Sequence, residues 1–176
     1  GRKIIDSIVD LPVIVPHTAA GIALLLMFGR QSALGKSLSS LGLSFTDSVL
    51  GIMIAMAFVS VPYLVTYARD AFSTVDFEME QAAMVDGASQ WQVFWEISIP
   101  QAWKGISSGI LMMWARGISE FGAVVILAYN PKILPVLVYE RFQGMGLNSA
   151  LTATVLLIII VLIIFISMRL LLNKIR

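Results

Sequence analysis

Residues 155–165 read VLLIIIVLIIF, an unbroken apolar run inside a longer apolar stretch at 149–172. A helix needs about 20 mostly apolar residues to cross the hydrocarbon core of a bilayer. Three further stretches meet this requirement, at 8–28, 49–68 and 105–127. All four are too long, and too lacking in period-two alternation, to be membrane-spanning strands. We therefore predict an all-α, multi-pass helical bundle with about four spanning helices.

The composition supports a membrane protein and excludes several other classes. Hydrophobic residues make up 58% of the 176 residues, charged residues make up 13%, and the mean hydropathy is +0.87. Soluble domains carry about 45–50% apolar and about 25% charged residues. These values exclude a disordered chain and an ordinary cytosolic enzyme. The apolar composition predicts membrane lipid as a partner, and the net charge of +1 provides no large charged field that would favour nucleic acid. The absence of cysteine excludes thiol chemistry.

The placement of Lys and Arg predicts how the chain is oriented in the membrane. Cytoplasmic loops carry an excess of these residues. With residue 1 inside, the basic residues predicted inside outnumber those predicted outside, and Arg116 lies within a span. The inside group is Arg2, Lys3, Arg69, Lys104, Arg169, Lys174 and Arg176; the outside group is Arg30, Lys36, Lys132 and Arg141. We expect one transmembrane domain, residues 1–176, with both ends and the 69–104 loop in the cytoplasm.

Residues 29–37, GRQSALGKS, superficially match a phosphate-binding loop. That motif places four residues between its glycines, whereas five separate Gly29 from Gly35, and the segment follows an apolar helix rather than a strand. Without the backbone curl of that motif, the N–H groups cannot converge on a phosphate. We predict that these residues form a loop outside the cell and that the chain binds no ATP and no other cofactor or metal.

The 69–104 loop is rich in acids and aromatic residues. Asp70 and Glu96 bound a stretch that holds six of the eleven acids of the chain and contains no Lys or Arg. Apolar residues recur there at helical spacing, which predicts short amphipathic helices separated by Gly87 and followed by a helix near Pro100. A helix on a lipid surface favours Lys and Arg on its polar face. Acids beside exposed aromatics therefore predict a protein partner.

Residues 81–87, QAAMVDG, and residues 97–100, ISIP, resemble the EAA loop of ABC importer permeases. The spacing from the alanines through glycine to the Ile-x-x-Pro end is the same, with Gln81 in place of Glu, Glu80 one residue earlier, and Ile99 in place of Leu. The resemblance implies a type I permease fold, and a loop that docks on a separate ATPase subunit and transmits its closure. The coupling residues it implies are Glu80, Gln81, Ala82, Ala83, Asp86, Gly87, Ala88, Trp91, Ile97 and Pro100.

Two charged residues, Arg116 and Glu120, lie four residues apart in the third predicted span. Charges at this depth are costly, and the i,i+4 spacing would let them offset one another on one helix face. The pair, with Ser119 nearby, either fixes helix packing or lines a path that attracts an anion. His17 carries the same two alternatives.

Residues 115–123, ARGISEFGA, resemble a stretch of the molybdate, tungstate and sulfate permeases, as do 11–18, LPVIVPHT, and 134–140, LPVLVYE. The resemblance implies import of molybdate or tungstate by alternating access, with sulfate or another anion as the alternative. It implies as partners a second permease copy, two ATPase subunits that carry ATP and Mg²⁺, and an external oxyanion-binding protein.

Two rival functions come from other classes. An ATP-independent secondary transporter or channel would not need a docking loop, so deletion of residues 79–95 would leave its flux intact. A membrane-embedded enzyme is hard to build with one His, no Cys and no intramembrane carboxylate cluster. Permeases of this kind usually have about six spans, and the chain begins with Gly1, so we expect N-terminal helices of the native protein to lie outside this sequence.

Overall fold

The computed structural model describes residues 2–174, and all regular structure within them is helical. The prediction of an all-α protein is confirmed. The ten α-helices are α1 (Arg2–Ile14), α2 (His17–Phe28), α3 (Ala33–Ser40), α4 (Val49–Ser73), α5 (Phe77–Val85), α6 (Gln90–Val93), α7 (Ile99–Ile118), α8 (Gly122–Leu127), α9 (Leu134–Met145) and α10 (Leu147–Lys174), with a π-helical segment at Phe94–Ser98 between α6 and α7.

The most extensive packing joins α4 to α7, and these two helices run antiparallel. Ala71, near the end of α4, faces Gly105, near the start of α7, and Ser60 faces Gly117. Glycine lets the two backbones approach closely, as small residues do in other membrane helix pairs. The start of α7 and the end of α4 therefore lie together, and the Ser60 level is about 16 Å away along the helix axis at 1.5 Å per residue.

This close approach makes Gly105 a sensitive position. A Cβ added there would lie 2.4 Å from the Cβ of Ala71. We expect Gly105→Val to lower the free energy of unfolding by about 1–3 kcal/mol, because one helix must move. Thermal unfolding of the detergent-purified subunit measures this. Gly144→Ala is the matched control, since a Cβ there meets nothing within 4 Å and alanine favours the helix; equal losses in both variants would contradict the expectation.

The buried core lies beyond the Ser60 level, where α8 packs between α2 and α4. A Cβ added at Gly21 of α2 would lie 2.9 Å from the backbone of Ala123 in α8, so these two helices are also in close contact. At the other end, Asp6 of α1 pairs with Arg69 of α4 at 3.1 Å. The core residues are Leu24, Ile52, Ala55, Val59, Ala123, Val124, Leu127, Ala128 and Val136.

Two helices among residues 2–174 are long and apolar enough to cross a membrane, Val49–Ser73 and Leu147–Leu172. A third crossing is possible if Ile4–Ile14 and His17–Phe28 act as one broken span. The two members of this pair meet at a bend of 112°. The predicted span at 8–28 is therefore not a straight helix, because Pro16 interrupts it.

The predicted span at 105–127 is also not a single helix. Helix α7 ends at Ile118, residues 119–121 are not helical, and α8 starts at Gly122. The sequence predicts about four spanning helices; among residues 2–174 the structure gives two, or three if the bent pair is one span, and the stretches at 8–28 and 105–127 each contain a break. Pro12 and Pro16 predict the bend in the first stretch, whereas apolar composition did not reveal the break in the other.

The 29–37 segment is not simply a loop, which corrects that prediction. Ser32 caps α3 by accepting a hydrogen bond from the Gly35 backbone N–H at 2.8 Å, and the helix continues to Ser40. Ser at this position satisfies a backbone donor that the first helical turn leaves free. The segment is a turn followed by a helix.

Candidate functional site

The residues between α4 and α7, which we call the connector (residues 74–98), form two short helices. Asp76 caps α5, with its carboxylate accepting from the backbone N–H groups of Glu78 and Met79. The chain then turns at Gly87, where φ is +95°, a conformation that side chains rarely adopt. Ser89 and Gln92 form a capping box that starts α6. The two short helices and the turn between them are as predicted, but α5 has no buried apolar face and is not the amphipathic helix that was expected.

The second half of the connector is continuous with α7. Helix α6 leads through the π-helical Phe94–Ser98 into α7 without a break. Pro100 lies in the first turn of α7, where its missing N–H is best tolerated. Helix α6, the π-helical segment and α7 therefore form one continuous helical stretch, and α7 packs along α4.

The connector presents an exposed aromatic surface. Trp91 and Trp95 are 72% and 61% exposed, and Phe77 is also exposed. Phe94 lies at the centre, with ring centroids 5.5 Å from Trp95 and 6.0 Å from Phe72. Large exposed aromatics beside acids mark an interaction surface more often than a solvated loop.

The structure places all ten predicted coupling residues in or directly beside the connector. Their exposure differs: Gln81, Ala82, Asp86, Gly87, Trp91 and Pro100 are exposed, whereas Glu80, Ala83, Ala88 and Ile97 are half-buried. Glu80 also makes a contact within the protein: its Oε1 accepts a hydrogen bond from the buried hydroxyl of Ser98 at 2.5 Å. Ser98 is not among the ten predicted coupling residues. A polar residue in the apolar stretch 97–99 was the available signal.

A second cluster gathers the four residues predicted as a path or packing site. Arg116 Nη2 lies 3.1 Å from Glu120 Oε2 and 2.5 Å from His17 Nε2. Arg116 Nη1 lies 3.5 Å from the hydroxyl of Ser119, which itself donates to the Arg116 carbonyl at 3.0 Å. The charged pair is thus satisfied inside the protein. We call these four residues the ionic cluster.

The ionic cluster forms where two helix breaks meet. The sequence predicts Arg116 and Glu120 on one helix. In the structure Glu120 lies instead in the break after α7. Its other oxygen accepts from the Ala123 N–H at 2.8 Å, at the start of α8. His17, the first residue of α2, lies against Gly122: a Cβ added at Gly122 would be 2.8 Å from the Cβ of His17. The Glu120 carboxylate therefore contacts Arg116 in α7 and Ala123 in α8, on the two sides of the α7–α8 break. It also faces His17 at the α1–α2 break.

The charges of the cluster are largely neutralised by one another. Glu120 is 1% exposed, and the side chains of Arg116 and His17 are 20% and 42% exposed. Arg116 Nη2 also lies 3.3 Å from His17 Nδ1, and Nδ1 lies 3.8 Å from Glu120 Oε2. A free anion would meet an arginine that already has a carboxylate partner.

Within residues 2–174 no group of three or more His, Cys, Asp or Glu side chains could hold a metal ion. The arrangement instead has two physical features. The connector has an exposed aromatic and acidic surface, and its second half is continuous with α7. The ionic cluster holds two interrupted helices together some distance from that surface.

Comparison with known proteins agrees with this arrangement. All of residues 1–176 match the family described as "Binding-protein-dependent transport system inner membrane component". The chain belongs to this family. As an inner-membrane component of this family, it is a helical membrane protein, as its apolar helices indicate.

Several relatives of this inner-membrane component carry names that state a substrate. Molybdate/tungstate transport system permease protein WtpB of Thermococcus kodakarensis is 39% identical over 174 residues, and that of Pyrococcus abyssi is 41% identical; both alignments cover 99% of this chain and 65% of the relative. Sulfate transport system permease protein CysT of Synechocystis is 32% identical over 97% of this chain and 61% of the relative. The chain spans about 65% of the length of the WtpB relatives it matches.

Proposed function

We propose that the chain is the permease subunit of an ABC importer that moves molybdate or tungstate across the cell membrane by alternating access. Membership of the inner-membrane-component family and the WtpB names of its relatives support this proposal. The observation that carries it is the connector, an exposed aromatic and acidic surface on a helix that continues into α7.

The proposed machine has several parts besides this chain. A second copy of the permease completes the translocation path, and an external oxyanion-binding protein delivers the substrate. Two ATPase subunits hold ATP and Mg²⁺ and dock on the connectors, so the chain needs no catalytic site of its own. In this arrangement the connector and both ends of the chain face the cytoplasm, in agreement with the distribution of Lys and Arg.

The transmission step follows from the packing. If a helix pair can adopt two positions, a partner protein that binds more tightly to one of them shifts the pair to that position as a rigid body. Movement of α6 would carry α7, because the two are continuous, and α4 would follow because glycine contacts hold it against α7. The residues proposed to receive the ATPase include the exposed Trp91 and the Gly87 turn.

For the ionic cluster we propose the packing role rather than an anion site. Arg116 already contacts a buried carboxylate and His17, so its charge is not available to attract a substrate anion. The cluster would hold the α1–α2 break against the α7–α8 break. Both breaks lie far from the connector. They lie in the region that movement from the connector must reach in order to affect the substrate path.

Co-purification and ATP hydrolysis test the proposal. We expect an affinity-tagged subunit, taken from its own cells, to retain an ATPase partner, and hydrolysis in liposomes to rise several-fold when molybdate and its binding protein are added together. Omission of the binding protein is the control. Unchanged anion flux without ATP, or after deletion of residues 79–95, would instead favour a secondary transporter or channel.

Sulfate is the second candidate substrate, because CysT proteins of Synechocystis and Chlorokybus atmophyticus also align at 32–33% identity. The WtpB relatives align at 36–41%, which favours molybdate and tungstate. Hydrolysis stimulated by sulfate, and not by molybdate or tungstate, would reverse this preference.

A further inference from the structure

Helix α5 forms half of the connector, yet it is held by unusually little apolar burial. Within Phe77–Val85, all of which the structure describes, no residue is buried. Short helices owe most of their stability in proteins to a buried apolar face. The attachment of α5 therefore depends mainly on whatever polar contacts join it to the rest of the molecule.

Those contacts converge on the start of α7. Glu80 Oε1 accepts from the Ser98 hydroxyl at 2.5 Å, and Ser98 is only 5% exposed. The side chain of Gln101 provides a second link, because its Oε1 accepts from the Asp76 N–H at 3.0 Å and its Nε2 lies 3.5 Å from the sulfur of Met79. Both links join the first turn and a half of α5 to residues at the junction of the π segment and α7.

The position of Ser98 gives the first link its importance. Ser98 is the last residue of the π-helical segment, at the point where α7 begins. Single-turn π segments interrupt the regular helical ladder and often occur at functional sites. A hydrogen bond to a carboxylate is stronger than one between neutral groups, so the Glu80–Ser98 contact is the firmest of the links.

We propose that Glu80 and Ser98 are positioning residues of the connector: their hydrogen bond fixes α5 to the base of α7, so that α5 and α6 move α7 as one body. This inference rests on the proposed function for its consequence in transport, but the attachment itself does not depend on it. Glu80 then acts inside the connector rather than on the surface that meets the ATPase. Gln101 supports the same attachment from the other side of α5.

The attachment is tested first in the purified subunit, by amide hydrogen exchange of residues 77–85. We expect Glu80→Ala and Ser98→Ala each to speed exchange about tenfold, since a hydrogen bond to a charged group is lost. Glu80→Gln keeps an acceptor oxygen and should stay near the unmodified rate. Unchanged exchange in both alanine variants would overturn the proposal, whether or not the chain is a permease.

Glu78→Ala is the matched control. Glu78 is exposed, lies on the same helix and is nearer its N-terminus, so its removal weakens the favourable interaction with the helix dipole at least as much. Faster exchange in Glu80→Ala than in Glu78→Ala therefore reports the Ser98 contact. Equal acceleration in the two variants would count against it.

The consequence for coupling is tested in the assembled transporter with molybdate as the probe. We expect Glu80→Ala and Ser98→Ala to retain the ATPase but to move roughly tenfold fewer anions per ATP, with the double variant no worse than either single one. Glu80→Gln should restore most of the ratio. Loss of ATPase binding in Glu80→Ala, but not in Ser98→Ala, would show a direct contact with the partner and overturn the positioning role.

Discussion

Replacement of Gly87 with aspartate is expected to uncouple ATP hydrolysis from transport. The turn between α5 and α6 requires φ of +95° at this residue, where a side chain costs about 1–2 kcal/mol and aspartate, which tolerates positive φ better than most residues, lies at the low end. That cost lowers the equilibrium constant for the native turn up to roughly tenfold. The two helices would then meet the ATPase in the wrong relative orientation, and a further negative charge would enter an already acidic segment.

The measurement is the number of molybdate ions moved per ATP hydrolysed by the reconstituted transporter. We expect this ratio to fall up to about tenfold in Gly87→Asp while hydrolysis persists. Gly42→Asp provides the control, because Gly42 also has a positive φ, of +80°, and a Cβ added there meets nothing within 4 Å, but it lies outside the connector. A normal ratio and normal substrate stimulation in Gly87→Asp would refute this interpretation of the turn.

Replacement of Arg116 with alanine is expected to destabilise the subunit more than any change at a surface charge. It would leave the carboxylate of Glu120, 1% exposed, without its cation. Removal of one partner of a buried ion pair costs about 3–5 kcal/mol, because the remaining charge is buried and unpaired. We expect a lower unfolding temperature and a lower yield of assembled transporter, which thermal unfolding and size-exclusion chromatography would measure.

Two variants separate this packing role from a role in anion passage. Arg116→Ala combined with Glu120→Gln removes both charges and should recover much of the lost stability. Arg69→Ala breaks a pair whose side chains are each more than one third exposed, so we expect a loss of about 0–1 kcal/mol. An Arg116→Ala subunit that assembles normally but no longer transports would favour the path role.

The connector shows how much local structure this sequence makes predictable. The two short helices and the turn at Gly87 are predictable, because apolar spacing and a glycine between two helical segments are local signals. The Glu80–Ser98 contact is not, since 18 residues separate its partners and only the folded chain brings them together. The contacts of Gln101 escape prediction for the same reason.

The ionic cluster shows a different limit. The i,i+4 spacing of Arg116 and Glu120 predicts their pairing, and the pair does form. The same spacing suggests an unbroken helix, whereas the chain leaves the helix after Ile118 and the carboxylate reaches back from the break. Proximity to His17 depends on the fold, because 99 residues separate it from Arg116.

Helix α10 carries a consequence for the lipid environment. Its apolar portion, Leu147–Leu172, has 26 residues, and none of the most hydrophobic part is buried within the described chain. At 1.5 Å per residue this portion is about 39 Å long, against a hydrocarbon thickness of about 30 Å. An apolar helix longer than the hydrocarbon core tilts or thickens the bilayer around it, so we expect this flank to respond to acyl-chain length.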